Sequence, residues 1–224
     1  MKYKNTVEGV FIDRPNRFIA HVDIDNKTET VHVKNTGRCK ELLLPQSRVI
    51  LCRSDNPARK TKYDLIAVYK ENLGWVNIDS QVPNTVVREW LERKPEPFAD
   101  VFLIKPEYTY GKSRVDFYLE RKGQIKQPIL MEVKGCTLEI DGIGYFPDAP
   151  TERGIKHLKE LTGAVKDGYE CYLAFVIALP GVTKVLPNIK TDAAFGEALA
   201  EAESNGVKIL YLPCEVKPDE IYIK

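Results

Sequence analysis

Three residues in the C-terminal half have the types and the spacing of a nuclease-type metal site. Residues 129–135 read ILMEVKG, an apolar run that ends in Glu132 and Lys134. Residues two apart in a strand point to the same face, so these two side chains project together. Asp116 stands between two apolar residues earlier in the chain, and neighbouring strands lie about 4.8 Å apart. If the two strands pair in register, Asp116 meets Glu132 and Lys134 at one point.

This set of residues suits the hydrolysis of a phosphodiester. Asp116 and Glu132 could hold Mg²⁺ or Mn²⁺, hard cations that prefer oxygen ligands, and the carbonyl of Val133 could add a third ligand. The cation can activate a water, and Lys134 can orient that water or stabilise the developing charge. We therefore expect Asp116, Glu132 and Lys134 to be catalytic. The alternative is an ordinary surface ion pair, which contributes ~0–1 kcal/mol. Glu107 is a weaker candidate for an additional carboxylate.

The elements around these residues predict an α/β domain over residues 84–224. Asn84 is a good N-cap for a helix over 85–93, and Pro95 and Pro97 end it. A hairpin over 108–119, turning at Gly111-Lys112, precedes a strand at 129–134. The remaining predicted elements alternate between helix and strand, and they cover residues 151–166 (helix), 172–179 (strand), 192–204 (helix) and 207–212 (strand).

The N-terminal part, residues 1–83, has the pattern of short β-strands. Phe18, Ala20, Val22 and Ile24 alternate with polar residues, which is typical of a half-buried strand, and a hairpin partner carrying Val31 and Val33 follows a polar turn. Further strands are predicted at residues 48–53, 63–69 and 75–78. About five or six short strands favour a small β-barrel of the oligonucleotide-binding (OB-fold) type. The periodicity alone does not distinguish it from another small β domain.

The basic residues of the chain are concentrated in this N-terminal part. The chain of 224 residues is 43% hydrophobic with a formal net charge of +1, yet residues 38–62 hold seven basic and two acidic residues, a net of +5. Such side chains could contact backbone phosphates without regard to sequence, although a charge run is usually a solvated surface. Tyr63 could stack on a base. The candidates for nucleic-acid contact are Arg38, Lys40, Arg53, Arg59, Lys60, Lys62 and Tyr63.

The helix predicted over residues 151–166 offers further contacts close to the metal site. Ile155, Leu158 and Leu161 recur at helical spacing and form its apolar face. We expect Arg153, Lys156 and His157 to face a phosphate instead. His157 could act as a general acid, a common role of histidine. The alternatives are a solvated helix face and a structural histidine.

The cysteines and the hydropathy indicate a cytoplasmic protein. The five cysteines are odd in number and none forms a C-x-x-C pair, which argues against a disulfide framework and a zinc ribbon. Reduced thiols are the simplest account. No segment approaches the ~20 apolar residues of a membrane span, and the N-terminus lacks the apolar stretch of a signal peptide. We therefore expect no membrane partner. The sequence carries no signal of an oligomeric state.

Long motifs make the resemblance to one family specific. In the C-terminal half they are YGKSRVDF at 110–117, MEVKGCTL at 131–138 and YFPDAPTERGIKHLKEL at 145–161. In the N-terminal half they are PNRF at 15–18, NTGR at 35–38, LLLP at 42–45, NP at 56–57 and RKTK at 59–62. The chain resembles the sugar fermentation stimulation protein A family over nearly its whole length. It departs at Gln46, where the family pattern has glycine.

The resemblance implies an OB-fold-like barrel followed by an α/β domain of the PD-(D/E)XK nuclease type. It also implies DNA binding without strong sequence preference and a regulatory role in sugar (maltose) utilisation. The family's nuclease motif falls on Asp116, Glu132 and Lys134, and all three are present. A link to sugar metabolism rests on the resemblance alone.

Three hypotheses of function remain open at this point. The first is a largely nonspecific DNA-binding protein with a nuclease-like metal site. The second is an active nuclease that depends on Mg²⁺ or Mn²⁺. The third is a non-nucleic-acid binding module in which the acidic pair is structural. The residues do not distinguish DNA from RNA as the partner.

Overall fold

The N-terminal part of the chain folds into a closed β-barrel. The computed structural model describes residues 1–35, 37–111, 113–123 and 127–224. The barrel strands are β1 (Thr6–Asn16), β2 (Ile19–Ile24), β3 (Lys27–Val33), β4 (Arg48–Arg53), β5 (Tyr63–Lys70) and β6 (Gly74–Asn77). Their order is β3-β2-β1-β4-β5-β6, and a short parallel pairing of β3 with β5 closes the sheet on itself. The prediction of a small barrel is confirmed.

Alternating burial along β2 matches the period-2 pattern, with one correction at its start. Ala20 and Val22 are fully buried and Ile24 nearly so. Phe18 is 52% exposed and lies outside the strand. The side-chain oxygen of Asn16 accepts hydrogen bonds from the backbone N–H groups of Phe18 (2.9 Å) and Ile19 (3.1 Å). This turn takes residue 18 away from the core, so the inward-facing pattern begins two residues later.

The C-terminal part is an α/β domain, as predicted. Its elements are α1 (Val82–Glu92), β7 (Val101–Tyr110), β8 (Ser113–Arg121), β9 (Ile129–Cys136), β10 (Leu138–Ile140), β11 (Ile143–Phe146), α2 (Glu152–Lys166), β12 (Glu170–Ile177), β13 (Val185–Pro187), α3 (Ala193–Ser204), β14 (Lys208–Lys217) and β15 (Glu220–Ile223). The main sheet has the order β15-β14-β12-β9-β8-β7, with β9, β12 and β14 parallel. A small sheet, β10-β11-β13, lies beside it.

The start of α1 differs from the prediction. The helix begins at Val82 with Gln81 as its N-cap, and Pro83 lies in the first turn. Proline suits that position because its fixed φ fits a helix and its missing N–H would have no partner there. Asn84 is therefore inside the first turn and does not cap the helix. Two positions named in the sequence analysis lie outside the described residues. They are Lys112 of the predicted hairpin turn and Thr36 of the motif at 35–38.

Two helices cover opposite faces of the main sheet and decide which way the residues of β9 point. Leu130 packs in the core that holds Leu158 of α2. Met131 and Val133 pack in the core that holds Val87 of α1. Because successive side chains in a strand alternate between faces, Glu132 points to the same side as Leu130, toward α2.

The barrel and the α/β domain contact each other at several points. The N–H of Arg38 donates to Asp148 at 3.0 Å, and Lys70 of β5 donates to the carbonyl of Glu139 in β10 at 3.3 Å. The first residues of the chain pair with the far edge of the main sheet. There the backbone N–H of Tyr3 donates to the carbonyl of Asp219 at 2.8 Å. Over the described ranges, no helix is long and apolar enough to cross a membrane.

Candidate metal centre

The structure brings Asp116 and Glu132 together where β8 and β9 separate. The antiparallel ladder between these strands ends at the pair Phe117 and Met131, and Asp116 and Glu132 are the next residues on the two strands. Beyond that point the carboxylate oxygen Oδ2 of Asp116 accepts the backbone N–H of Val133 at 2.7 Å. A side chain thus occupies a backbone donor that continued pairing would use. The carboxylate is held inside the fork between the strands.

The environment of Asp116 favours a positive charge beside it. The other carboxylate oxygen, Oδ1, accepts a hydrogen bond from Nδ2 of Asn84 at 2.7 Å. Burial raises the pKa of Asp116, and the negative charge of Glu132 raises it further, while the hydrogen bonds from Val133 and Asn84 lower it only in part. Two carboxylates that raise each other's cost of ionisation are relieved by a bound cation.

Glu132 is the most deeply buried carboxylate of the pair, with 2% of its surface exposed. Its oxygen Oε1 accepts a hydrogen bond from Nζ of Lys134 at 2.6 Å and also contacts Nδ1 of His157. Burial raises the pKa of Glu132, but the hydrogen bond from His157 and the charge and hydrogen bond of Lys134 outweigh it, so the pKa is lowered. Glu132 is therefore ionised at neutral pH although water hardly reaches it.

The donor set fits a hard divalent cation that keeps several of its waters. Asp116 and Glu132 supply carboxylate oxygens, and the carbonyl of Val133 lies on the residue whose N–H already holds Asp116. Among the described residues no group of three His, Cys, Asp or Glu side chains is arranged to hold a metal. Two protein carboxylates with water completing the shell is a typical arrangement for Mg²⁺. Glu107 lies in the same groove as Asp116, but its side chain is 71% exposed and pairs with Arg114 at 3.1 Å.

His157 is placed differently from the prediction. It belongs to the buried face of α2 with Gly154, Leu158 and Leu161, and only 8% of it is exposed. Positions three and four apart share a helix face, so His157 follows Gly154 and Leu161 inward. Its ring contacts Glu132 and is turned inward, away from the surface where a phosphate would bind.

Arg153 and Lys156 lie on the exposed side of α2. Nε of Arg153 lies 3.4 Å from Nε2 of His157, which connects the exposed face of the helix to the buried cluster. Lys156 is 61% exposed, with Glu160 at 3.7 Å. Both side chains are accessible to a partner.

Five of the six predicted basic residues of the barrel line one of two depressions. Arg38 and Lys40 line a depression of 390 Å³ together with Arg14 and Arg17. Arg53, Arg59 and Lys62 line a second depression of 570 Å³. Lys60 is exposed, and Lys62 is 66% exposed with Glu29 at 3.6 Å. Tyr63 is half-buried against the barrel core, which leaves only part of its ring for stacking.

Arg59 requires a correction, because its guanidinium is already engaged. It donates to both oxygens of Asp64, at 3.0 and 2.7 Å, and to the hydroxyl of Thr61 at 3.1 Å. Asp64 is 6% exposed and also contacts His32 at 3.0 Å. A buried carboxylate needs such partners, so the guanidinium of Arg59 stabilises the barrel by pairing with Asp64.

Two residues that matter for these sites were not predicted in their roles. Asn84 was expected as a helix cap and is instead the hydrogen-bond partner of Asp116. Arg14 donates to the carbonyls of Arg17, Asn35, Gly37 and Arg38 and so shapes the loop that carries Arg38. The sequence contains no periodic signal for the contact of Asn84 or for those of Arg14 with Asn35, Gly37 and Arg38, since these join distant segments.

An OB-type barrel joined to an α/β domain that carries two carboxylates and a lysine at a strand fork defines a two-domain protein of β-barrel plus α/β architecture. The protein-family model described as "SfsA N-terminal OB domain" matches residues 12–78. The model described as "Sugar fermentation stimulation protein RE domain" matches residues 81–220. The chain belongs to the sugar fermentation stimulation protein family.

Relatives and a solved structure agree with this assignment over the full chain. A sugar fermentation stimulation protein homolog of Desulfitobacterium hafniense is 57% identical over 221 residues, covering 99% of this chain and 94% of the relative. A homolog of Clostridium beijerinckii is 52% identical over 224 residues, covering 100% and 97%. The structure of Pyrococcus furiosus SfsA in complex with Ca²⁺ superposes with a TM-score of 0.89 at 29% identity, covering 100% of this chain and 95% of that one.

Proposed function

We propose that this protein binds DNA largely without sequence preference and holds Mg²⁺ or Mn²⁺ at Asp116 and Glu132. The observation that carries the proposal is the pair of carboxylates at the strand fork, with Lys134 bonded to Glu132 at 2.6 Å. The homologous protein of Pyrococcus furiosus was solved with Ca²⁺, which supports a divalent cation in this fold. In this proposal residues 1–83 bind the DNA, residues 84–224 hold the cation, and the protein acts in the cytoplasm.

The residues of the fork have separate tasks in this proposal. The N–H of Val133 and the amide of Asn84 fix both oxygens of Asp116, so this ligand does not have to reorganise when the site is loaded. His157 and Lys134 together keep Glu132 ionised although it is buried, and Lys134 is close enough to orient a water or to stabilise developing negative charge. A bound divalent cation lowers the pKa of its water and neutralises charge on a phosphate.

The exposed cations of the barrel and of α2 supply the proposed grip on the DNA backbone. Contacts of lysine and arginine to phosphate release counterions, so affinity falls as salt rises. They carry no sequence information directly, which agrees with binding that is largely nonspecific. The proposed contacts are Arg38, Lys40, Arg53, Lys60, Lys62, Arg153 and Lys156, with Tyr63 as a partial stacking surface.

An active nuclease is the second candidate, and the position of Lys134 favours it. A structural ion pair needs only Lys134 and Glu132, whereas this lysine also lies 3.2 Å from His157 and beside a second carboxylate. A lysine next to two carboxylates is an arrangement that suits metal-dependent phosphodiester hydrolysis. The same site serves both candidates, so cleavage is the property that separates them.

A role in the regulation of sugar (maltose) utilisation is the remaining part of the proposal. The family name, sugar fermentation stimulation protein, supports it. In this view the DNA-binding surface is the means by which the protein acts on genes of sugar use. RNA is a second polymer that the same phosphate contacts would bind.

The test is a titration of divalent cation against binding and cleavage of labelled DNA, with Glu132→Gln as the matched variant. The first candidate is supported if DNA binding weakens as salt rises and if the wild type needs the cation to bind. The Glu132→Gln variant, which has one carboxylate fewer, should bind DNA without the cation. Cleavage that needs Mg²⁺ or Mn²⁺ and is lost in Glu132→Gln supports the second. No affinity for DNA or RNA at low salt contradicts both.

A further inference from the structure

A groove runs from the fork along α1, and it is separate from the basic depressions of the barrel. It has a volume of 330 Å³ and opens on Asp116. One wall is the first two turns of α1 and the other is the β7–β8 hairpin. The residues used below are Asn84, Thr85, Arg88, Glu107 and Asp116.

Among the described residues that line this groove, the cation is Arg88. It follows Asn84 by four residues, so the two share a face of α1, and one helical turn of about 5.4 Å separates them along the axis. Its side chain is 58% exposed, and Nε donates to Glu92 at 3.0 Å. In the described residues the two terminal nitrogens of the guanidinium have no partner. They remain available for an oxyanion.

The charge of the groove changes from one end to the other. At the fork the two negative charges of Asp116 and Glu132 outweigh the one positive charge of Lys134, and one helical turn beyond Asn84 along α1, Arg88 makes the rim positive. Glu107 is neutralised by Arg114 at 3.1 Å. A phosphate would be repelled by the carboxylates alone, but a cation between them and the phosphate reverses that. The neighbouring phosphate of the same strand then comes within reach of Arg88.

We propose that this groove binds the nucleic-acid strand next to the cation site, with Arg88 contacting the backbone phosphate adjacent to the one at the cation. This inference rests on the proposed function, since it needs a strand at the fork. It adds α1 to the binding surface, which otherwise consists of the barrel and α2. Because the contact is to phosphate, it acts on every sequence alike.

The test is fluorescence anisotropy of a labelled DNA duplex and of a labelled single strand, in Ca²⁺, over a range of salt. We expect Arg88→Gln to bind roughly three- to tenfold more weakly, the effect of one lost hydrogen-bonded phosphate contact. The slope of log affinity against log salt should fall by about 1. Arg88→Lys should recover most of the slope because it keeps the charge.

Two matched controls separate this role from simpler ones. Glu92→Gln breaks the same ion pair but keeps Arg88, so it should bind at least as tightly as the wild type. Lys190→Gln removes an exposed charge away from the groove and should change the slope little. All variants should unfold at the wild-type temperature, since the side chains are largely exposed.

Each result has a defined reading. If Arg88→Gln loses no more affinity than Lys190→Gln, or if Glu92→Gln weakens binding as much as Arg88→Gln does, the groove proposal is wrong. Those outcomes leave the proposed function intact, provided the wild type binds with salt and cation dependence. If the wild type binds neither duplex nor single strand, the proposed function itself has failed.

Discussion

The amide nitrogen Nδ2 of Asn84 donates a hydrogen bond of 2.7 Å to the carboxylate oxygen Oδ1 of Asp116. The two residues are 32 positions apart and lie on α1 and β8. The other oxygen of Asp116 accepts the N–H of Val133 on β9 at 2.7 Å. Three elements therefore fix one carboxylate, and the geometry of the cation site depends on how α1 docks on the sheet.

Replacing Asn84 by alanine should weaken cation binding. The hydrogen bond from Asn84 lowers the pKa of Asp116 against burial and the charge of Glu132, so its loss makes the ionised form less favourable. A net cost of about 1 kcal/mol for one hydrogen bond corresponds to roughly fivefold weaker binding. Calorimetric titration with Ca²⁺ measures it. Thr85→Ala, next to it in the same groove, is the control, and equal affinities of the two variants would count against a positioning role.

Cation affinity should fall with decreasing pH sooner than an ordinary aspartate would allow. Burial and the charge of Glu132 raise the pKa of Asp116 above the usual value of about 3.9. As the pH falls through that raised pKa, Asp116 takes up a proton and cannot serve as a ligand. The pKa of Glu132 is lowered, so Glu132 stays ionised over the same range. A Ca²⁺ affinity that stays constant down to pH 4 would contradict this assignment.

Replacing Lys134 by methionine should lower the stability of the fold but spare the binding of the cation. The variant removes the hydrogen bond of 2.6 Å to buried Glu132, and an underpaired buried carboxylate costs about 1–3 kcal/mol. Urea unfolding measures that loss. Ca²⁺ should raise the melting temperature more in Lys134→Met than in the wild type, because the cation replaces the missing positive charge. Lys156→Met, which removes an exposed lysine of α2, should leave the melting temperature and its Ca²⁺ response unchanged.

Elements with a strong local signal could be predicted from the sequence. The caps Thr151 and Asp192 each accept a backbone N–H, from Gly154 and Phe195, at 3.0 Å, and α2 and α3 start directly after them. The apolar run predicted as a strand at residues 172–179 forms most of β12, in the centre of the main sheet. By contrast, β1 is interrupted by irregular pairing, and β10 and β13 span three residues each, too few to show a period.

The candidate site was predictable only as far as strand geometry reaches. Glu132 and Lys134 share a face because they are two residues apart. The register that sets Asp116 beside them depends on pairing between β8 and β9, which a local pattern does not specify. The direction of His157 depends on where α2 crosses the sheet, and the partner of Asn84 depends on the docking of α1. These contacts follow from tertiary packing.

Acid should remove part of the stability of the barrel through Asp64. Burial raises the pKa of Asp64, but hydrogen bonds from Arg59 and His32 and the charge of Lys34 outweigh it, and the pKa is lowered to about 2. A carboxylate whose pKa is lowered in the folded state stabilises the fold at pH values above its unfolded-state pKa. This stabilisation is lost as the pH falls through the folded-state pKa. We expect a loss of about 2 kcal/mol between about pH 4 and pH 2. Urea unfolding of the wild type and Asp64→Asn over that range measures it, and parallel pH curves would contradict the assignment.

Neighbouring Arg59 and Lys60 should separate stability from DNA binding. Arg59 donates to both oxygens of Asp64, so Arg59→Gln leaves a buried carboxylate underpaired and should lower the free energy of unfolding by about 1–3 kcal/mol. Lys60 is exposed, and Lys60→Gln should change stability by less than about 0.5 kcal/mol. The order reverses for DNA: Lys60→Gln should reduce the salt slope of binding by about 1, whereas Arg59→Gln, measured where it is folded, should keep the slope. A slope lost only in Arg59→Gln would show that Arg59 leaves Asp64 to contact phosphate.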